Sequence, residues 1–332
     1  RGRRTASSKA PKAPQAPKAP KTPIPPRGER PPKTPSPPRR PPAPAKPAIA
    51  LTPRETMIRG IVTILAVLLL GFAVNLMLFS HLNFQANQQQ LSDHFRMQLA
   101  EGVAPVSEGD VDDVLLPDGA PVAALDIPAI GLSAVVVEGS ASGDTMRGPG
   151  HRRDTVLPGQ AGVSVILGRA SAYGGPFARI QELQPGDSFT VVTGQGEQTF
   201  EVMGLRYAGD PSPSPLRSGQ ARLVLETARG LPYAPTGVVR VAAQLVGEAA
   251  PPGARHTGFL ALPAEDKALG SDTSTVWALV FALQVLVLAE IGLVWSVRYI
   301  GARQAWTVFL PVVLLTGLVI TDQVMRILPN VL

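Results

Sequence analysis

Any chemistry must come from a short list of side chains. Cysteine is absent, which excludes a disulfide, a thiolate metal site and a cysteine nucleophile. The four histidines, His81, His94, His151 and His256, are scattered along the chain. Asp110, Asp112 and Asp113 in EGDVDD have the composition of a hard-cation cluster but not the Gly and terminal Glu spacing of a calcium loop. They read as a solvated acidic segment. No glycine-rich phosphate loop stands between a strand and a helix, so neither a nucleotide, another cofactor nor a metal is expected. What remains is one dense stretch, Gly148 to Phe177, GPGHRRDTVLPGQAGVSVILGRASAYGGPF, and a strand that must return to it, Leu223 to Ala228, LVLETA.

The elements around that stretch divide by composition. Residues 1–54 carry 14 of the 31 Lys and Arg and a single acid, Glu29, so this tail holds +13 of a net +6 and the remainder holds −7. About half of the 35 Pro fall there too, in repeats such as KAPKAPQAPKAPKTPIPP. With so little apolar surface the tail stays extended, partly polyproline II. Its PxxP units could dock an SH3-like groove, but a solvated tether is the preferred reading. A basic segment can also neutralise nucleic acid. Because this one abuts an apolar span, contact with anionic lipid is expected instead, and no nucleic acid.

Ile58 to Phe79 is long and apolar enough to cross roughly 30 Å of hydrocarbon as a helix. Arg54 and Arg59 precede it, which puts the tail in the cytoplasm. Leu91, Phe95 and Leu99 then give one apolar stripe on a polar helix, read as a stalk. From Pro121 onward seven short β-rich runs alternate with Gly, Pro and Asp turns, suggesting a small closed barrel. Val276 to Val297 and Ala305 to Val324 are two further spans, joined by a loop holding Arg298 and Arg303. The chain is thus divided into a basic tail (1–54), a first membrane helix (55–82), a stalk and linker (83–118), a barrel (119–248), a linker (249–273) and two membrane helices (274–298 and 304–326). The expected place is the plasma membrane, multi-pass, with an extracytoplasmic barrel.

Gly148-Pro149-Gly150-His151, Leu157-Pro158-Gly159-Gln160, Val165-Ile166, Gly168, Tyr173-Gly174 and Pro176-Phe177 together resemble the sortase family, the membrane-anchored cysteine transpeptidases of Gram-positive surfaces, and most closely its actinobacterial D and E classes. The likeness covers about residues 85–246 and does not reach the two C-terminal spans. It implies a mainly β fold, an eight-stranded sortase barrel with short helices, to which the three membrane helices are added. A body that uses Arg throughout, with Lys267 its one Lys, fits a high-GC Gram-positive source.

At the chemistry the pattern departs. Where the resemblance implies a catalytic His, a nucleophilic Cys and an Arg, this chain has Arg169, Ala228 and Val238, with Arg240 two residues on. Ala228 carries no nucleophile and a guanidinium is no general base at neutral pH. Thr227 should point to the opposite face of its strand. Ser164 and Ser171 need an adjacent base that is not evident, and His151, part of a turn the family shares, reads as structural. The expectation is therefore a noncatalytic protein, an accessory or scaffold subunit of a cell-envelope membrane complex, keeping a groove at Arg169, Tyr173 and Arg240. The alternatives are a transpeptidase or hydrolase with a relocated site, and a receptor for sorting-signal peptides. Glu290, an acid deep within a span, is the candidate contact to a membrane partner. Its alternative partners are the hydroxyls of Thr307 and Thr316, since Asp322 and Arg326 lie near the helix end.

Overall fold

The computed structural model describes residues 53–332 apart from 111, 113, 212 and 255–260. Residues 1–52 of the basic tail, Asp113 and His256 lie outside the described residues. Eight strands close a barrel: β1 (Pro121–Ile127), β2 (Leu132–Glu138), β3 (Gly150–His151), β4 (Gly162–Leu167), β5 (Ser188–Thr193), β6 (Gly196–Tyr207), β7 (Ala221–Leu231) and β8 (Ala234–Val246). Their order is β1-β2-β3-β4-β7-β8-β6-β5, and β5 returns to pair with β1. Two pairings, β2 with β3 and β4 with β7, are parallel and the rest antiparallel. The seven apolar runs account for seven strands. The eighth is β3, two residues of the GPGH stretch, too short to show any periodicity.

The barrel interior is filled by alternate residues of each strand. Leu125, Ile166, Phe189, Phe200, Leu223 and Val241 are among its fully buried members. Phe189 and Phe200 stack across β5 and β6 with centroids 5.7 Å apart. Burying each side chain of this size stabilises the fold by about 1.5–3 kcal/mol.

A helix runs without a break from Pro53 to Glu101: α1 (Pro53–Val74), a π-helical stretch at Asn75–Phe79 and α2 (Ser80–Glu101), which Gly102 ends in the left-handed conformation. The stalk is in fact docked. Leu91 and Phe95 are buried against Val135 and Val137 of β2, because their i, i+4 spacing makes one apolar stripe. Gln88 reinforces this, accepting from the Val135 amide at 2.7 Å and donating to the Val135 carbonyl at 3.0 Å.

A short α3 (Ser142–Thr145) follows β2, and 3-10 turns lie at Pro128–Ile130, Ile180–Glu182 and Ala264–Asp266. The chain closes with an antiparallel hairpin, α4 (Val276–Tyr299) and α5 (Ala302–Ile327), turning at Ile300 and at Gly301 with φ +107°. Pro311 sits inside α5, an interruption that helices of this apolar kind tolerate. Among the described residues, three helical segments are long and apolar enough to cross a membrane: Leu69–Glu101, Val276–Val297 and Arg303–Ile327. Met325 of α5 packs with Met146 and Tyr173 of the barrel, and Phe72 of α1 and Leu76 of the π-helical stretch join them. The C-terminal ends of α1 and α5 therefore meet the barrel, and the α4–α5 turn lies at the far end of the hairpin.

Candidate functional site

The Gly148–Phe177 stretch leads to the outer face of β4 and β7. Val165 and Leu167 of β4 and Val224 and Ala228 of β7 form one apolar floor there. Directly after β4, Gly168 donates its amide to the Glu226 carbonyl at 2.9 Å. The ring of Phe177 lies so close that a Cβ on Gly168 would stand 2.4 Å from it, so this position has room for glycine alone. Thr227 faces the other way, as strand alternation requires, and donates to the Gly168 carbonyl at 2.7 Å. The β4–β7 junction is fixed from both sides.

Arg169 follows, fully buried. Its Nη2 donates to Ser142 Oγ at 2.7 Å and to the Ser142 carbonyl at 3.0 Å, while Nε and Nη1 have no hydrogen-bond partner among the described residues. The guanidinium stands 5.2 Å from the centroid of the Tyr173 ring. Burial pulls its pKa down to about 10, so at neutral pH it remains a cation, with no carboxylate bound to it among the described residues. Removing such a charge from water costs several kcal/mol, and the Tyr173 ring offsets about 2 kcal/mol of that. Tyr173 itself holds φ +49°, an uncommon backbone state for a bulky residue. Burial raises its phenol pKa.

Val238 lies directly across the ladder from Ala228, and Arg240 lies across from Glu226. Arg240 forms an ion pair with Glu226, whose side chain is buried. The structure therefore sets Arg169 beside Tyr173 and Ala228 on the apolar floor, with Val238 opposite Ala228 and Arg240 committed to a carboxylate along the same strands.

The groove presents main-chain donors. The amides of Ala170 and Ala228 converge on one carbonyl oxygen, that of Val331, at 3.1 and 3.3 Å. Val331 itself is buried on the apolar floor. This segment past α5 is a feature that sequence reasoning missed. Pro329 signals where the helix must stop, but no spacing in the sequence points residues 330–332 at β7.

The remaining candidates lie elsewhere. Ser164 is on the interior parity of β4 and its hydroxyl is buried without a hydrogen-bond partner among the described residues. Ser171 contributes its amide, which donates to the Leu332 oxygen at 3.3 Å. His151 is buried, with Nδ1 2.8 Å from Glu138 Oε2 and Nε2 3.0 Å from the Val156 carbonyl, and both contacts brace β3. His81 contacts Gln85 on α2, and His94 lies further along the same helix. Asp110 spends its carboxylate on the amides of Asp112 and Val114. Glu290 lies within α4. The two hydroxyls considered for it serve their own helix, Thr307 donating to the Gln304 carbonyl and Thr316 to the Val312 carbonyl.

One titratable group near the groove is strongly shifted. Asp144, on α3, is pushed up to about 7, first by burial and then by the nearby carboxylates of Asp118 and Asp266, with Arg147 opposing.

Residues 125–244 match the family model of the sortase domain. This stretch is similar to the sortase domain. Sortase D of Bacillus subtilis (strain 168) is 30% identical over 111 residues, 33% of this chain and 54% of that protein. The chain thus spans about half the length of this curated relative. Among solved structures, a Clostridium perfringens Sortase D5 transpeptidase is 21% identical, covering 49% of this chain and 98% of its own, with a TM-score of 0.38. Sortase E from Streptomyces avermitilis is 26% identical, covering 41% and 93%, with a TM-score of 0.35. These relatives correct the expectation of a protein that is not an enzyme. What overturns it is the match of residues 125–244 to the sortase domain together with the 30% identity to Sortase D.

Proposed function

We propose that the chain is a membrane-anchored, sortase-like protein whose groove binds an extended polypeptide and holds one of its carbonyls, with Arg169, Tyr173 and Arg240 flanking the bound segment. The observation that carries this reading is the convergence of the Ala170 and Ala228 amides on a single oxygen above an apolar floor. Two fixed N–H donors on one carbonyl withdraw electron density from its carbon, the electrostatic device of acyl-transfer sites. Ala228 carries no nucleophilic atom, so acyl transfer at this carbonyl takes its nucleophile from elsewhere. Binding and transfer are therefore read separately. A labelled extended peptide with a branched apolar residue should bind the detergent-solubilised chain saturably, and Ala228→Leu, which fills the carbonyl's place, should weaken binding about tenfold. Unchanged affinity in that variant would sink the groove assignment. An amine acceptor included in the same assay reports transfer.

The second part of the proposal is a role as an accessory or scaffold subunit of a cell-envelope complex, with the tail cytoplasmic against anionic lipid and the barrel outside. Support comes from Glu290, which has no hydrogen bond or ion pair among the described residues although it lies mid-helix in an apolar span. An acid at such depth costs about 2.5–3.5 kcal/mol on insertion scales, and a polar group of a partner subunit offsets that. Glu290→Leu should leave the barrel folded while reducing co-purification of membrane partners, and undiminished recovery of every partner would remove the support. Single cysteines test the orientation: Leu231→Cys, on an exposed barrel edge, should take an impermeant label from outside and Gly301→Cys should not.

A further inference from the structure

The groove is already filled by the chain's own residues 328–332. Leu328 leaves α5 in extended conformation with ψ 151°, and Pro329 prevents the helix from resuming. The next three residues are then buried. Beyond the Val331 carbonyl held by Ala170 and Ala228, the Leu332 oxygen accepts from the Ser171 and Ala172 amides, both at 3.3 Å. Asn330 donates its main-chain amide to the Gly270 carbonyl at 2.9 Å. Its side-chain Nδ2 reaches three carbonyls, of Ser140 at 2.6 Å, Lys267 at 3.0 Å and Glu265 at 3.1 Å. Two hydrogens shared among three acceptors make this carboxamide a knot between the loop after β2, the turn before α4 and the tail.

We propose that Pro329–Leu332 is a self-ligand that caps the groove, that Asn330 is its lock, and that a polypeptide gains the groove only when this tail is released. The inference rests on the groove being a peptide site, and it adds the occupant and the control. Val331 sits where a branched apolar side chain of a visiting peptide would sit, and its carbonyl takes the two amides such a peptide needs, so the two occupants exclude each other.

The cap is also connected to the membrane hairpin. Ser142 Oγ shares its proton between the Met325 carbonyl at 3.2 Å and the Leu328 carbonyl at 3.1 Å, while accepting from Arg169. The buried Arg169 cation thus lies, through Ser142, at the negative end of the α5 dipole. Displacement of α5 relative to α3 breaks the contacts that deliver the tail to β7.

The absence of native cysteine gives a direct test on the full chain in detergent. Ala228→Cys places a single thiol under Val331. Its labelling by a maleimide should be slow, and adding Asn330→Ala, which removes a donor from three carbonyls, should raise the rate by at least about tenfold. Val331→Ser, which loosens the tail without touching the lock, should do the same and serves if Asn330→Ala fails to fold. A fluorescent peptide of residues 327–332, Ile-Leu-Pro-Asn-Val-Leu, should bind the Asn330→Ala chain more tightly than the parent. Fast labelling of the Ala228→Cys chain, or slow labelling that neither further substitution changes, overturns the self-capping. If labelling accelerates as expected but the peptide binds neither chain, the cap stands and the reading of the groove as a peptide site falls.

Discussion

Strands β5 and β7 belong to one barrel and are exposed in opposite fashion. Along β5, Phe189, Val191 and Thr193 are buried, while Ser188, Thr190 and Val192 are exposed or half-buried. This is the period of two expected of a strand with one wet face. Along β7 the eight residues from Ala221 to Ala228 are all buried. Leu223, Leu225 and Thr227 point inward like their counterparts on β5, so the outer face of β7 must be covered by something else. Val331 and Ala268 cover Val224 and Ala228, Arg240 pairs with Glu226, and Arg222 reaches the Ser214 carbonyl at 3.0 Å. The inner face is covered by the barrel itself, and part of the outer face by segments that return from the membrane side.

That difference predicts unequal costs for similar truncations. Leu225→Ala, on the inner face, leaves a cavity that a closed barrel cannot collapse and should destabilise it by about 3 kcal/mol. Val224→Ala, one residue away beneath the tail, should cost about 1 kcal/mol, because residues 328–332 can settle onto the smaller side chain. Denaturant unfolding of the solubilised chain, followed by hydrogen exchange at the β7 amides, measures both. Equal losses would mean that the outer cover is as rigid as the core.

Gly168→Ala sharpens the comparison at the point where the two faces join. The added Cβ meets the Phe177 ring, which belongs to the interior, while the next residue, Arg169, belongs to the outer cover. Overpacking of this kind costs about 1–3 kcal/mol. The expected signature is a lower unfolding midpoint together with faster thiol labelling at position 228, since the β4 end that carries Arg169 is displaced. A loss of stability with no change in labelling would separate the groove from the core.

How much of this was legible in the sequence depends on the face. The inner face was readable because period-two alternation and Gly–Pro punctuation are local: VAALDI, SFTVVT and VVRVAAQLV declare strands without help from the rest of the chain. Strand β3 was not, since two residues carry no period. Leu91 and Phe95 were readable as a stripe, but their spacing does not say that β2 is what they cover. The outer cover was the least legible. LVLETA, apolar at nearly every position, records that both faces of β7 are buried, yet names no occupant, because Val331 meets Val224 across more than 100 residues of sequence. Arg169 and Ala228 were singled out by the resemblance to the sortase family. The use of Arg169, as a cation at the end of α5 reached through Ser142, depends on tertiary contacts that no local pattern encodes.

The smallest expected effect concerns the rim of that outer cover, where Asp144 of α3 faces Asp118 and Asp266, with Arg147 and Arg153 as the nearby cations. Asp266 anchors the turn before α4 by accepting from the Ser140 amide at 3.2 Å, and burial raises its pKa as well. Asp144 has an ordinary value of 3.8 and is raised to about 7 in the fold. The folded protein therefore holds this proton more tightly than the unfolded chain between those values, and stability falls as pH rises through the window. The contribution is fully present below about pH 4 and lost above about pH 7, and partial solvent access limits it to about 1–2 kcal/mol. In the full chain, raising the pH from 5 to 8 should loosen the 264–270 turn and with it the Asn330 lock, seen as faster labelling of Ala228→Cys after correction for the thiolate fraction. Asp144→Asn removes the titrating group and should flatten this dependence. If the corrected rate rises equally in both chains, the pH response of the cover comes from another group and the acidic rim plays no part in holding it.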